Sequence, residues 1–487
     1  MKNHIINILI LASLITFFSC EDDEPIDTKP VAAFKVNEQI VVEGNAVIFT
    51  DLSFDENGSI ASWNWNFGDG QTSTEQSPIY TYQALGEYTV TLTVTDNNGQ
   101  SNFNECSKVV SMMEESTATK NPEIAWLYSL PYKSNQSSLA VSDDGTVYFG
   151  TDGKSTEPTR GDYNVLAVKN GSLQWGFLTD QVVRSSPSIA ADGTVYIGDY
   201  NGDFFAFNPD GSQKWKATYE RFKYASPAIG ADGTIYIGGG DANTKFRAIH
   251  PETGSENWVF EAAGKVRSAP AIDSEGIIYF SDYTTLYALN ADGTEKWRTE
   301  YGEYTACATV LIESANTIYA VDKTQHLVAF NMNDGTIKWK NNSSATANTE
   351  NGGAAVAPDG TIYLGGEDGN MIAYNPEDGS EKWKFEANGK IKAVPAIDNE
   401  GNLYFGDEGG FFYVIDPEGN TKWKATQLNG KINTSAVIGN DGTIYVLTYP
   451  GAGDTTTGIL YALKTKATGL AEEGWPMRSK NARHTGR

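Results

Sequence analysis

The sequence predicts an all-β protein with two folded regions, and three observations predict it. A short element of the form Asp-Gly-Thr-Ile-Tyr recurs through the C-terminal three-quarters of the chain, and tryptophans recur on the same beat. Ahead of these repeats, Tyr88 to Asp96 alternates aromatic or aliphatic residues with threonine, as a half-buried strand does. No long apolar helical periodicity follows the N-terminus. Frequent Gly (49) and 12% aromatics fit short strands joined by tight turns.

The chain opens on a targeting pattern. Lys2 and His4 precede an apolar run from Ile5 to Phe18, which ends in Ser19-Cys20. The run is about 14 residues, short for a bilayer span and right for a signal peptide. A small residue followed by Cys at its end resembles a bacterial lipobox, which implies residues 1–20 as a lipoprotein signal peptide and lipidation at Cys20. Glu21-Asp22-Asp23-Glu24 then resembles the acidic export tag of Bacteroidetes surface lipoproteins. The resemblance implies an outer-membrane location, anchored by lipid, on the cell surface. Residues 21–29 read as a linker, with Pro25 and Pro30 beside its charges.

The first module spans 30–112. Tyr88, Val90, Leu92 and Val94 share one face of a strand, and the threonines between them share the other. Trp63, Trp65 and Phe67 alternate likewise before the tight turn Gly68-Asp69-Gly70. The run Trp63-Asn-Trp65-Asn-Phe67-Gly-Asp-Gly70, with Tyr82, Gly86 and the strand from Tyr88, resembles a PKD domain. That resemblance implies an immunoglobulin-like sandwich serving as a spacer or carbohydrate-associated module. Trp63 and Trp65 read as core because they share a face with Phe67. Residues 113–122 are polar, lack strand periodicity and read as a second linker.

The repeats fill 123–487. Tyr148, Tyr196, Tyr236, Tyr279, Tyr319, Tyr363, Tyr404 and Tyr445 each close the recurring element, at a step of ~40 residues. Trp175, Trp215, Trp258, Trp297, Trp339, Trp383 and Trp423 keep the same beat, bracketed by Trp126 and Trp475. A strand-only period of this length is a propeller signature, about four strands per blade. In one unit, Ser226–Ile229 is strand A, Ala231–Gly233 a turn, Thr234–Ile237 strand B and Phe246–His250 strand C. Pro251–Gly254 makes the second turn, and strand D carries Trp258. The regular tryptophans are expected to bury between neighbouring units. Ile124–Tyr128 is expected to complete the last one.

These elements resemble the PQQ-like repeats of quinoprotein dehydrogenases and of the assembly lipoprotein of the Bam complex. The segment from Trp475 to Gly486 resembles the terminal segment of such propellers. The predicted fold is therefore an immunoglobulin-like PKD sandwich followed by an eight-bladed PQQ-like β-propeller. The enzymes of that family carry a vicinal Cys pair, a Ca²⁺ site and a catalytic Asp. This chain has three cysteines, Cys20, Cys106 and Cys307, none adjacent, and no c-type haem motif. No quinone or other cofactor is expected, and no metal. Cys106 and Cys307 fall in different modules, so no disulfide is expected. His4, His250, His326 and His484 are scattered. His250, Asp199 and Asp282 are the candidates for a polysaccharide lyase base, with no constellation around them. Asp199 to Asp203 and Glu367 to Asn370 read as hairpin loops rather than Ca²⁺ loops.

A net charge of −26, from 62 acids against 36 bases, disfavours nucleic acid as a partner. Binding residues concentrate on variable loops over a rigid scaffold, which here are the B–C and D–A loops. The units align on Pro187, Pro227, Pro270 and Pro395. That gives one position per unit at the channel mouth: Gln136, Arg184, Tyr224, Arg267, Thr305, Asn351, Lys392 and Asn433. All are polar, and Lys223, Lys265, Lys390 and Lys431 lie close by. A basic ring on an acidic protein points to an anionic or polyhydroxylated ligand such as an acidic glycan. Tyr200, Tyr283 and Tyr449 are candidates for stacking on sugar. The leading function is a non-catalytic surface lipoprotein binding glycan or another ligand through this rim. The alternatives are an outer-membrane protein-interaction or assembly scaffold, and a polysaccharide-degrading enzyme.

Overall fold

The computed structural model describes residues 29–487, except 38–39, 43–45, 57, 85, 103–105, 114–121, 131–136, 154–162, 220–225, 241–243, 303–308, 322–325, 342–352, 451–457, 466 and 468. The expected signal peptide, Cys20 and most of both linkers lie outside these residues, as does Cys307.

In the N-terminal module, Phe34–Val36, Ala46–Asp51 and Ile79–Thr81 form a three-stranded sheet. A five-stranded sheet runs in the order Ile40–Val42, Ser107–Met113, Gly86–Asp96, Ile60–Asn66, Thr72–Ser73. The threonine-alternating segment is the long central strand, with Val90, Leu92 and Val94 buried as its period requires. Trp65 and Phe67 are buried and meet Phe34 and Phe49 of the other sheet, ring centroids 5.0–5.5 Å apart. Trp65 is thus core, its indole N–H donated to the Glu75 carbonyl at 2.9 Å. Trp63 is half-buried and donates to Asp51 at 2.8 Å.

After it come eight antiparallel four-stranded sheets, each meandering in strand order A-B-C-D. The third is Ala228–Ile229, Ile235–Gly238, Lys245–Ile249 and Glu256–Glu261, within two residues of the sequence reading. Strand B is buried throughout in every sheet but the eighth, where only its first residue is not. The Asp-Gly element works as a turn device. The aspartate carboxylate accepts the N–H two residues on, at Thr146, Thr194, Thr234, Thr361 and Thr443, and the glycine takes the positive φ. The fifth sheet departs from this: its turn is a 3₁₀ segment, Glu313–Ala315, closed by Asn316 at φ 48°. The eighth sheet is completed by Glu123–Ser129, which pairs with Ile459–Lys464. The N-terminal strand therefore closes the series, as expected.

The tryptophans join successive sheets. Trp175, Trp215, Trp258, Trp297, Trp339 and Trp383 each donate their indole N–H to a C–D turn carbonyl of the next sheet, at 2.7–2.9 Å. A glycine of that same turn packs so close to the indole that a Cβ on it would come within 2.5–2.8 Å of the ring.

The segment 469–487, the tail, binds the innermost strands. Its carbonyls receive N–H groups from Val141, Ile189, Ile229 and Ile272 in the first four sheets, from Val356 in the sixth, and from Ile397 and Asn399 in the seventh. Trp475, Met477 and His484 are buried within it. His484 is held far below the ordinary imidazole pKa, at about 3, first by burial and then by Arg478, so it is a neutral packing residue.

Candidate functional site

The B–C and D–A loops lie at the opposite ends of the strands from the A–B turns and the tail. Counting four residues on from the recurring tyrosine reaches the start of the B–C loop in the seven sheets where it is described: Asp152, Tyr200, Gly240, Tyr283, Glu367, Glu408 and Tyr449. Backbone bonds fix this position against the D–A loop. The Tyr200 N–H reaches the Val182 carbonyl, the Glu408 N–H reaches Lys390, and Tyr449 and Lys431 exchange two bonds, all at 2.8–2.9 Å.

These residues interleave with the mouth positions expected from sequence. Arg184 bonds Asp152 with Nε at 2.8 Å and Nη2 at 3.1 Å. Lys392 pairs with Glu408 at 2.9 Å. Asn433 donates to Glu408 at 3.4 Å and to the Tyr449 hydroxyl. The guanidinium of Arg267 lies 5.6 Å from the Tyr283 ring centroid, and Lys265 lies 5.8 Å from it. Lys390 reaches Glu367 at 3.4 Å. Burial opposes ionisation of Glu408, but the Lys392 ammonium outweighs it and holds the carboxyl below the usual range. Burial, then Glu408, pushes the Tyr449 phenol up, so it stays protonated. Gln136, Tyr224, Thr305 and Asn351 lie outside the described residues.

The structure thus brings Lys392, Glu408, Asn433 and Tyr449 into one connected chain. It also corrects the charge of the rim: the expected basic positions Arg184, Lys390 and Lys392 each carry a carboxylate partner. The sequence reading missed Asp152 and Glu408, and took Glu367 only as part of a hairpin loop. The signal was available, since all three fall four residues after their tyrosine.

The lyase candidates are engaged in loop structure. His250 Nδ1 accepts the Glu252 N–H in the C–D turn. Asp282 Oδ1 accepts two backbone N–H groups, and its Oδ2 accepts Gly264 N–H and the Tyr287 hydroxyl at 2.7–2.8 Å. Asp407 is built the same way with Tyr413. Asp199 Oδ1 takes N–H groups of Asn201, Gly202 and Asp203, the hairpin reading of that loop. Here, however, Phe205 stands in the register of Tyr287 and Tyr413, and buried Asp199 Oδ2 has no hydrogen-bond partner. Burial first, with the Asp203 charge adding to it, pushes the Asp199 carboxyl up to about 6. A carboxyl raised above its unfolded pKa destabilises the fold above that value and ceases to as pH falls through it. Phe205→Tyr should therefore raise stability by about 1 kcal/mol at pH 7.5 and have little effect at pH 4, read by urea unfolding at both. An equal change at both pH values would disconnect the two residues.

Among the described residues no group of three or more His, Cys, Asp or Glu could hold a metal ion. The described cysteine, Cys106, is a free thiol in the N-terminal module.

Comparison with known proteins places both modules. A PKD-domain model matches residues 27–110. The model described as outer membrane protein assembly factor BamB matches residues 206–352 and 323–469, together more than half of the chain. The chain belongs to the BamB family of PQQ-like repeat proteins. BamB of Moraxella catarrhalis superposes with a TM-score of 0.56 at 13% identity, covering 71% of this chain and 100% of that one. Quinohemoprotein alcohol dehydrogenase of Comamonas testosteroni gives 0.57 at 13% identity, covering 72% and 78%. At such identities the BamB likeness in structure shows the propeller fold alone. Curated relatives match over short stretches. The metalloprotease PrtV of Vibrio cholerae is 46% identical over 76 residues, which are 16% of this chain and 8% of that protein. Collagenase ColA of Clostridium perfringens is 38% identical over 93 residues, 19% and 8% respectively. The chain spans 8% of the length of these two relatives.

Proposed function

We propose that this chain is a non-catalytic binding protein whose eight sheets are the blades of one closed propeller, and whose B–C and D–A rim docks another protein. The observation that carries this reading is the connected chain Lys392–Glu408–Asn433–Tyr449. Where Arg184, Lys390 and Lys392 are already paired with carboxylates, the rim is a weaker trap for a polyanion. A fixed surface of half-buried tyrosines and satisfied polar groups suits a protein partner. BamB-type membership favours the same reading. The test is a photo-crosslinking amino acid placed at Tyr449, and at exposed Lys384 on an outer strand as reference. A discrete protein adduct at Tyr449 and none at Lys384 supports rim docking; equal labelling at both sites ends it.

An acidic glycan is the second reading, carried by Tyr283 between Lys265 and Arg267. It requires that Tyr283→Ala abolish retention of acidic polysaccharide on an array. The PKD module would act as the spacer, the segments 21–29 and 113–122 as linkers, and Cys20 as the lipid anchor to the outer membrane. Cys20→Ser should abolish incorporation of an alkyne-tagged fatty acid; persistent labelling would exclude that anchor.

A further inference from the structure

The tail repeats one interaction from sheet to sheet. In the second sheet Ile189 lies opposite Val195, one step in from the Ser188–Tyr196 pair, and its N–H turns away from strand B to the Arg483 carbonyl. The other tail-bound sheets do the same. In the fifth sheet Leu311 holds that place, opposite Ile318 and one step in from Val310–Tyr319. Alternation along an antiparallel pair aims its N–H the same way, yet no described tail carbonyl meets it. The tail is paired with the sixth sheet at Trp475 and with the fourth at Gly486, and the fifth lies between.

Two adjoining cavities of about 710 and 450 Å³ open there, on the A–B face. Glu313 and Lys480 line both, and Leu311 lines the second. The second is strongly acidic: Asp359, Glu377, Glu472 and Glu473 join Glu313 against the single cation Lys480. A cationic occupant is favoured there and an acidic one repelled.

The tail itself shows what fits. The Arg483 carbonyl takes the Ile189 N–H, while its guanidinium pairs with Asp143 in the A–B turn of the first sheet. One basic residue thus satisfies an inward N–H and an A–B face carboxylate together. We propose that the cleft over the fifth sheet docks an extended segment of a partner protein in this manner. A carbonyl of the segment takes the Leu311 N–H, and a lysine or arginine beside it lies among Glu377, Glu472 and Glu473. Main-chain bonding to a strand edge supplies affinity, and the flanking side-chain pocket supplies selection. This site is on the opposite face from the rim and does not depend on what the rim binds.

The probes are fluorescein-labelled, capped Ala/Gly hexapeptides with one central arginine, alanine or glutamate, titrated onto the full chain by anisotropy. The arginine peptide should bind at least ~10-fold more tightly than the glutamate peptide. The combined substitution Glu377→Gln, Glu472→Gln and Glu473→Gln should erase that difference with the melting temperature unchanged, since all three side chains are on the surface. Saturating arginine peptide should slow amide hydrogen exchange in the segment 309–313. Equal binding of the three peptides, no binding at all, or binding without protection of 309–313 would each overturn the proposal.

Discussion

Trp475→Ala is expected to cost about 4 kcal/mol of unfolding free energy, the largest single-residue loss in the C-terminal region. The indole is 1% exposed and belongs to the same buried cluster as Tyr319, Leu364 and Tyr374, which come from the fifth and sixth sheets. Its backbone exchanges two hydrogen bonds with Val356, at 2.8 and 2.9 Å. Truncation to alanine leaves a cavity at the place where the tail first crosses between sheets. The loss should therefore exceed the transfer free energy of the ring alone. Deleting 469–487 altogether should be worse. It would expose inward N–H groups in six sheets, and a buried donor left without a partner costs about 1–3 kcal/mol. Chemical denaturation of the point variant measures the first effect. A loss under 1 kcal/mol would mean that the inner strands hold together without the tail.

Gly335→Ala should destabilise by about 3 kcal/mol, whereas Gly276→Ala should cost only about 1 kcal/mol. Both glycines have a positive φ, 72° and 83°, so both alanines meet the left-handed backbone penalty. Their surroundings differ. A Cβ on Gly335 would sit 2.5 Å from Trp297 Cε3, against the indole that joins the fourth and fifth sheets, while one on Gly276 meets nothing within 4 Å. The difference between the two variants isolates the packing of tryptophan on turn glycine from backbone strain. Equal losses would mean that the close approach carries no energy. The same approach recurs at Gly211, Gly254, Gly293, Gly379 and Gly419, so each C–D turn glycine serves the neighbouring sheet as well as its own turn.

Much of the fold is legible in the sequence because its determinants are local. The Asp-Gly-Thr-Ile-Tyr element encodes a turn and the strand after it within five residues. The tryptophan series marks each strand D, and the threonine alternation from Tyr88 fixes which face of its strand is buried. Even the strand at 123–129 that completes the eighth sheet could be anticipated, because the last repeat ends without a strand D of its own.

The candidate site is legible only in half. The mouth positions on the D–A loops follow from aligning the units on proline, but their partners lie on B–C loops, in a separate register. Arg184 finds Asp152 across 32 residues, while Lys392 finds Glu408 across 16. A cation read from one loop alone looks free.

What the sequence by itself determined is the repeat: its period, its turns, its buried strands and its inter-sheet tryptophans. What only the tertiary structure decided is where charges are cancelled and where edges are left open. Those depend on contacts such as Ser188 with His484, 296 residues apart, which no local pattern encodes. The tail binds six inner strands, and among the described residues neither Leu311 of the fifth sheet nor Ile438 of the eighth meets a tail carbonyl.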